Sequence, residues 1–147
     1  MRASLSLRND PAELRRLVGF AETFARRHAL PHTEQAWLLL ILEELFTNAV
    51  NHGYDGEGLV GRIEVSLAFD AGRMMIDFRD DGKPFDPLLP PLPDLDQPAV
   101  KRPVGGLGLY ILRSLVNDAQ YFRRDDRNHL ILSRVIAGQQ GARSGSD

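Results

Sequence analysis

Five polar side chains recur at helical spacing in an otherwise apolar stretch near the middle of the chain. They fall at positions i, i+3, i+4, i+7 and i+8, so an α-helix places them on one face as a polar stripe: Glu44, Thr47, Asn48, Asn51 and His52. Burying a carboxylate and carboxamides without partners costs several kcal/mol, so we expect the stripe to face a hydrated or ligand-filled cleft. The alternative is the solvated face of an ordinary amphipathic helix.

A second group follows an alternating segment that ends at Asp80, Asp81 and Gly82. If Ile76 and Phe78 face the core, the period of two places Asp80 on the core side as well. An inward carboxylate can accept a hydrogen bond from the exocyclic amine of a flat ring, and a glycine beside it lets such a ring approach the backbone. The alternative interpretation is a plain turn.

A third group is the glycine-rich segment of Gly105, Gly106 and Gly108, directly before a predicted helix. Free backbone N–H groups and the dipole of a helix start favour phosphate. Glycine-rich helix starts are common, and the chain has neither a Walker A pattern nor the strand that a dinucleotide fold places before such glycines. Phosphate binding and an ordinary helix start both remain open for this segment.

The elements that must position these groups are helices and strands of ordinary length. Alternating apolar residues predict strands at about 3–8, 62–70, 74–80, 119–124 and 129–136. Helical spacing and start and stop residues predict helices at about 12–28, 33–52 and 105–118. Residues 82–105 hold seven of the nine prolines and predict a long loop, which is typical of a functional lid or of disorder. Residues 138–147 have little apolar content and predict a disordered tail.

Length and composition exclude several classes of protein. With 147 residues, of which 43% are hydrophobic, the chain fits one globular domain. Its formal charge of −2 supplies no basic field for nucleic acid or an anionic membrane, so we expect neither as a direct partner. The absence of cysteine excludes disulfides, thiolate metal sites and cysteine nucleophiles. Without a signal-like apolar segment or a membrane-spanning run, we expect a cytoplasmic protein.

The order and spacing of three segments resemble the N box and the two glycine boxes of the GHKL ATP-binding superfamily: Glu44–Tyr54, Asp80–Pro87 and Gly105–Leu109. Within it, the small size and the motif Arg124–Leu130 resemble the anti-sigma-factor serine kinases of bacterial partner switching. The resemblance implies the Bergerat, or histidine-kinase-like ATPase, fold: an α/β two-layer sandwich in which a mixed, mostly antiparallel sheet carries three helices on one face. It also implies one domain over residues 1–137, with residues 83–104 as the ATP lid.

The resemblance further implies a role for each matching residue. Asn48 corresponds to the asparagine that coordinates the magnesium ion bridging the ATP phosphates. Glu44 resembles the general base that takes the proton of a substrate serine. Asp80 corresponds to the aspartate that binds the adenine amino group, with Gly82 beside it. Further cofactor contacts are implied for Asn51, Lys101, Arg102, Gly105, Gly106, Leu107, Gly108 and Leu109.

The implied function is an ATP-dependent protein-serine kinase that acts as an anti-sigma factor. Such a protein phosphorylates a STAS-type anti-anti-sigma antagonist, sequesters a sigma factor and forms a homodimer. The alternative is a non-catalytic nucleotide-binding anti-sigma or scaffold module. The catalytic part of a histidine kinase would need a dimerisation domain with a phospho-accepting histidine upstream, which we do not expect here.

Two features depart from the superfamily pattern or leave its roles open. Pro84 replaces the second glycine of the first glycine box, which stiffens this loop, and we expect nucleotide binding to survive. Lys101 and Arg102 are the candidates near the end of the lid to neutralise a γ-phosphate, with solvated rim charges as the alternative.

The first helix carries four arginines that form either a solvated face or a docking surface for an acidic partner: Arg15, Arg16, Arg26 and Arg27. The structural interpretation is favoured for His28, His129 and Trp37.

Overall fold

The computed structural model describes residues 2–54, 60–88 and 114–136, and the statements below concern these parts of the chain. A 3-10 turn at Pro11–Glu13 leads into the first helix. The elements follow in the order β1 (Arg2–Arg8), α1 (Leu14–Arg27), α2 (His32–His52), β2 (Arg62–Asp70), β3 (Arg73–Asp80), β4 (Asp118–Arg124) and β5 (Arg127–Val135).

The five strands form one sheet in the order β1-β2-β3-β5-β4, and all four pairings are antiparallel. The expectation of a mostly antiparallel sheet is confirmed, and the described strands include no parallel pair. The reason is local for two of the pairings, because tight turns reverse the chain. Ala71 and Gly72 join β2 to β3, while Asp125 and Asp126 join β4 to β5, and all four have positive φ angles between 51° and 76°.

Both described α-helices contribute to the same core and cover one face of the sheet. Buried residues alternate along β2 and β3, so one parity faces the helices and the other faces outward. The third predicted helix lies mostly outside the described residues, where only residues 114–115 are helical, and Asp118 already belongs to β4. The described part of the chain thus contains two α-helices where the resemblance implied three. Within it, no helix is long and apolar enough to span a bilayer.

Arg134 of β5 binds the first turn of α2 to the sheet through Glu34. Its guanidinium donates to both carboxylate oxygens of Glu34, at 2.7 and 3.1 Å, and lies 4.9 Å from the ring centre of Trp37. It also donates to the carbonyl of Leu115, just before β4. Because the two charged side chains are only 23% and 13% exposed, this bidentate pair holds α2 in one position over the sheet. Trp37 itself is buried, as predicted.

Two histidines pack against aromatic rings outside the candidate site. The ring of His28 lies between Phe24 and Phe69, with ring centres 4.5 and 5.5 Å away. Burial there lowers the pKa of His28 below its ordinary value. His129 is buried and stacks on Phe122 at 4.7 Å. Both contacts agree with the structural interpretation of these histidines.

Candidate functional site

A cleft opens between the second half of α2 and the ends of β3 and β5. Its walls are mainly apolar and come from the helix, from the sheet and from the loop that follows β3. Four residues with polar side-chain atoms line it, and two of them, Asp80 and Asn128, are buried at paired positions of the sheet. The lining residues are Leu45, Asn48, Ala49, Phe78, Asp80, Phe85, Pro87, Tyr121, Asn128 and Leu130.

Asp80 lies on the core side of β3, as the period of two predicts, and is only 9% exposed. Its Oδ1 accepts hydrogen bonds from the backbone N–H of Gly82 and from Nδ2 of Asn128, each at 2.9 Å. Burial raises the pKa of Asp80, and the charge of Asp81 adds to this, whereas the two hydrogen bonds and the charge of Arg123 lower it. The net direction is upward, because burial outweighs the hydrogen-bond donors and the Arg123 charge that favour the ionised form.

The neighbouring acid, Asp81, is directed away from this cleft. Its Oδ1 accepts from the hydroxyl of Tyr54 at 2.6 Å and from the backbone N–H of Arg62 at 2.9 Å. Two adjacent carboxylates therefore have different surroundings, one exposed and tied to β2 and the other buried in the cleft. The pair is consequently more than the plain turn that its sequence would also allow.

Asn128 belongs to the motif Arg124–Leu130 and is a site residue for which the sequence pattern predicted no individual role. Its Nδ2 donates to Asp80 and to the carbonyl of Lys83, at 2.9 and 2.8 Å. Its Oδ1 accepts three hydrogen bonds, from the Tyr121 hydroxyl, from Nη1 of Arg123 and from the backbone N–H of Phe85. Every hydrogen-bonding group of this amide is thus used.

The signal for Asn128 was present in the alternation of β5. It shares the parity of Leu130 and Leu132, both buried, so a polar residue at this position is directed inward. What the alternation does not contain is the register between β3 and β5, which places Asn128 directly opposite Asp80. Asp80 and Asn128 are 48 residues apart in sequence, and pairing at this separation is a tertiary property.

The end of α2 packs directly on the loop that carries Gly82. The backbone N–H of Lys83 donates to the carbonyl of Gly53 at 2.7 Å. A Cβ atom on Gly82 would lie 2.7 Å from the oxygen and 2.9 Å from the Cα of Gly53. The close neighbour that requires glycine here is therefore the terminus of α2, in addition to any ring that enters the cleft.

Gly82→Ala is expected to lower the free energy of unfolding by about 1–3 kcal/mol, because two backbone segments must separate to admit the methyl group. Gly19→Ala is the matched control, since a Cβ there meets nothing within 4 Å and the residue lies inside α1. We expect that control to gain about 0.5–1 kcal/mol from helix propensity. Urea unfolding of the three proteins measures both effects, and equal stability of Gly82→Ala and the parent would refute the packing argument.

Only part of the polar stripe on α2 reaches the cleft. Asn48 is 9% exposed and lines it, and its Nδ2 has no hydrogen-bond partner within the described residues. Glu44 is half-buried, while Thr47, Asn51 and His52 are exposed. Asn48 is thus the one residue of the stripe that lines the cleft within the described residues, and a ligand-facing role for the other four stays a prediction. An unpaired buried amide such as that of Asn48 costs stability unless a ligand or water satisfies it.

The Asn48 amide fits a magnesium ion that is shared with phosphates. Within the described residues no three His, Asp or Glu side chains come close enough to hold a metal by themselves. Magnesium bound with nucleotide takes one or two protein oxygens and completes its shell with phosphates and water, so a single amide oxygen is a sufficient protein contribution. The oxygen and nitrogen ends of the Asn48 amide have nearly the same shape. Because Nδ2 has no hydrogen-bond partner among the described residues, no bond at that atom prevents the amide from turning its oxygen toward the cleft.

Several predicted site residues fall outside the described residues. They are Lys101, Arg102, Gly105, Gly106, Leu107, Gly108 and Leu109. Of the predicted lid, residues 83–88 are described; Phe85 and Pro87 line the cleft and Pro84 is exposed. The four arginines of α1 are exposed, and Arg16 pairs with Glu13 at 2.7 Å. Their part in docking stays a prediction.

The protein is an α/β sandwich of the histidine-kinase ATPase type. Helices cover one face of an antiparallel sheet, and a cleft that contains the buried carboxylate of Asp80 lies beside α2. The chain belongs to the family of the histidine kinase-like ATPase domain, which matches residues 7–134. The histidine kinase domain from Erythrobacter litoralis EL346 blue-light activated histidine kinase shares the fold, with a TM-score of 0.55 at 15% identity. The alignment covers 92% of this chain, which spans 65% of that domain's length.

Curated relatives are similar over most of the chain. The Serine-protein kinase RsbW of Bacillus cereus (strain AH820) is 26% identical over 127 residues, which is 83% of this chain and 77% of the relative. A protein with the same name from Bacillus thuringiensis (strain Al Hakam) is also 26% identical over the same shares of both chains.

Proposed function

We propose that this protein is an ATP-dependent protein-serine kinase that acts as an anti-sigma factor. In this proposal it transfers the γ-phosphoryl group of ATP to a serine of a STAS-type anti-anti-sigma antagonist, and it sequesters a sigma factor. The observation that carries the proposal is the cleft of a histidine-kinase-like ATPase fold. It is lined both by the buried carboxylate of Asp80 and by the amide of Asn48, whose Nδ2 has no hydrogen-bond partner among the described residues. The similarity to serine-protein kinases supports the choice of reaction.

The base of the nucleotide is proposed to enter between the apolar walls of the cleft. Leu45 and Ala49 from α2 face Phe78 and Leu130 from the sheet, so a flat ring gains apolar contact on both sides. The ionised carboxylate of Asp80 accepts the N–H of the adenine amino group at the floor. Gly82 leaves the backbone beside it free of a side chain.

The phosphates are proposed to lie toward Asn48, one turn beyond Glu44 on α2. Asn48 contributes its amide oxygen to magnesium, which when bound with ATP neutralises charge on the phosphates. Asn51, Lys101 and Arg102 are proposed to contact the same group from the rim, and the backbone of Gly105 to Leu109 to receive the phosphate oxygens. These roles extend the resemblance of the N box and the second glycine box to this chain.

Glu44 is proposed to accept the proton of the attacking serine hydroxyl. It lies four residues before Asn48 on the same helix face, so it is placed next to the transferred group. Its side chain is only half-buried, so a hydroxyl group of a partner can reach it. Catalysis in such a site consists mainly of positioning and charge neutralisation.

Phosphate transfer to a partner is the direct test of the kinase proposal. Incubation with Mg-ATP and a purified STAS-type antagonist is expected to add one phosphate to an antagonist serine, seen in its intact mass and located by peptide fragmentation. The added charge of about −2 is expected to weaken the complex, which co-elution on a sizing column measures. An unmodified antagonist in the presence of bound ATP would instead support a non-catalytic anti-sigma or scaffold module. Homodimer formation and a cytoplasmic location belong to the same proposal.

A further inference from the structure

We infer that Asn128 is a positioning residue that presents a single, ionised oxygen of Asp80 to the nucleotide base and so sets the preference for a 6-amino over a 6-oxo purine. The inference rests on the proposed nucleotide site, and it concerns the chain's own hydrogen-bond network at the floor of the cleft. It does not depend on the kinase reaction.

Both hydrogen bonds that the described residues make to Asp80 end on the same carboxylate oxygen. Oδ1 accepts from Gly82 and from Asn128, each at 2.9 Å, whereas Oδ2 accepts none within the described part of the chain. Because Asp80 lines the cleft, Oδ2 is the acceptor that a ligand meets. Asn128 therefore fixes the rotation of the carboxylate as well as contacting it.

The amide of Asn128 can be oriented in only one way. Three donors converge on its Oδ1, at 2.5 Å from the Tyr121 hydroxyl, 3.1 Å from Arg123 and 3.3 Å from the backbone N–H of Phe85. A flipped amide would place its own N–H groups against these donors, and would leave the Lys83 carbonyl facing an oxygen. The donor end must consequently face Asp80.

A hydrogen bond donated to Asp80 favours the ionised form of its carboxyl group. In that form the carboxylate can accept hydrogen bonds but cannot donate one. Burial and the charge of Asp81 oppose ionisation, while Arg123 of β4 and the N–H of Gly82 favour it. From α2 the polar residue that lines the same cleft is the neutral Asn48, and from β4 it is the Tyr121 hydroxyl. An ionised Asp80 accepts from an amino group and repels a ring carbonyl, whereas a protonated one could donate to that carbonyl.

Asn128→Asp tests this inference because it keeps an acceptor for the three converging donors and removes the Nδ2 group that donates to Asp80 and to the Lys83 carbonyl. The two carboxylates would then share a proton, as close acid pairs do. Calorimetry measures Mg-ATP affinity as the pH is lowered. We expect the affinity of the variant to begin to fall at a pH about one unit or more above the onset in the parent. The preference for Mg-ATP over Mg-ITP is expected to fall about tenfold, the value of one hydrogen bond to a charged group.

Two further variants separate the role of Asn128 from general stability. Asn128→Ala removes the donor without adding charge and is expected to shift the pH onset in the same direction by less. Asn117→Asp is the matched control, because its side chain accepts from Val135 at the opposite end of β5. We expect that control to keep the parent's pH onset and ATP:ITP ratio.

The outcomes distinguish this inference from the proposal beneath it. A parent protein that binds no Mg-ATP at any pH would overturn the nucleotide site itself. A parent that binds Mg-ATP, together with Asn128 variants that keep its pH onset and its ATP:ITP ratio, would overturn the positioning role and leave Asp80 sufficient alone. Thermal unfolding of each variant identifies any that has lost its fold, and the surviving substitution at position 128 then decides.

Discussion

Glu44→Gln is expected to lower phosphoryl transfer to the partner serine by about 10²–10⁴-fold, the range that a positioned general base contributes. Glutamine has nearly the same shape as glutamate but cannot accept the serine proton. Glu44 is half-buried and does not line the apolar part of the cleft, so Mg-ATP affinity is expected to stay within about a factor of two, as for a group that acts only in the transition state. Single-turnover transfer from labelled ATP measures the rate, and calorimetry measures the affinity.

Glu43→Gln is the control for this experiment. The two glutamates are adjacent and both are half-buried, but one residue along a helix turns the side chain by about 100° away from the polar stripe. We expect Glu43→Gln to transfer phosphate at the parent rate. A Glu44→Gln protein that keeps the parent rate, with its fold and ATP affinity intact, would remove Glu44 from the mechanism.

Asp80→Asn is expected to abolish the stabilisation of the protein by Mg-ATP. At about 100 times its dissociation constant a ligand stabilises the native state by about 2.7 kcal/mol, which raises the thermal midpoint of a chain of this size by several degrees. In the variant, Gly82 and Asn128 both donate to the position of Oδ1, so the new amide must place its oxygen there and its NH2 group in the cleft. That NH2 group would meet the adenine amine donor to donor, and the hydrogen bond is lost.

Thermal unfolding with and without Mg-ATP measures this loss directly. Asp77→Asn is the matched control, because Asp77 lies on the same strand but on the outer face, where it pairs with Arg2 and Arg79. That control is expected to show the full ligand-induced rise. An equal rise in Asp80→Asn would exclude the carboxylate from base recognition, and no rise in any of the proteins would leave a nucleotide-free binding module as the better account.

Sequence periodicity determined the strands and the side on which each residue of a strand lies. The inward position of Asp80 follows from Ile76 and Phe78 alone, because alternation along an extended chain is a local geometric property. The same argument was available for Asn128 beside Leu130 and Leu132. Local pattern does not contain strand register, however, so the contact between Asp80 and Asn128 could not be derived before β3 and β5 were paired.

The polar stripe on α2 shows that helical spacing predicts a shared face but not which residues of that face are buried. Spacing places Glu44, Asn48 and Asn51 on one face of α2, and that much is set by 3.6 residues per turn. Which of them is covered depends on how the helix lies over the sheet, which Arg134 and Glu34 hold at its other end. Of these three residues, only Asn48 is buried and lines the cleft within the described part of the chain.

The sequence by itself therefore determined the order and type of most elements, the family resemblance and the inward carboxylate at the end of β3. The tertiary structure alone decided that the described sheet is antiparallel throughout, that Gly82 lies against Gly53, and that Asn128 orients Asp80. The difference has one physical cause. Periodicity acts between residues a few positions apart, whereas the floor of the cleft is built by contacts between residues up to 48 positions apart, which form only when the sheet and α2 pack together.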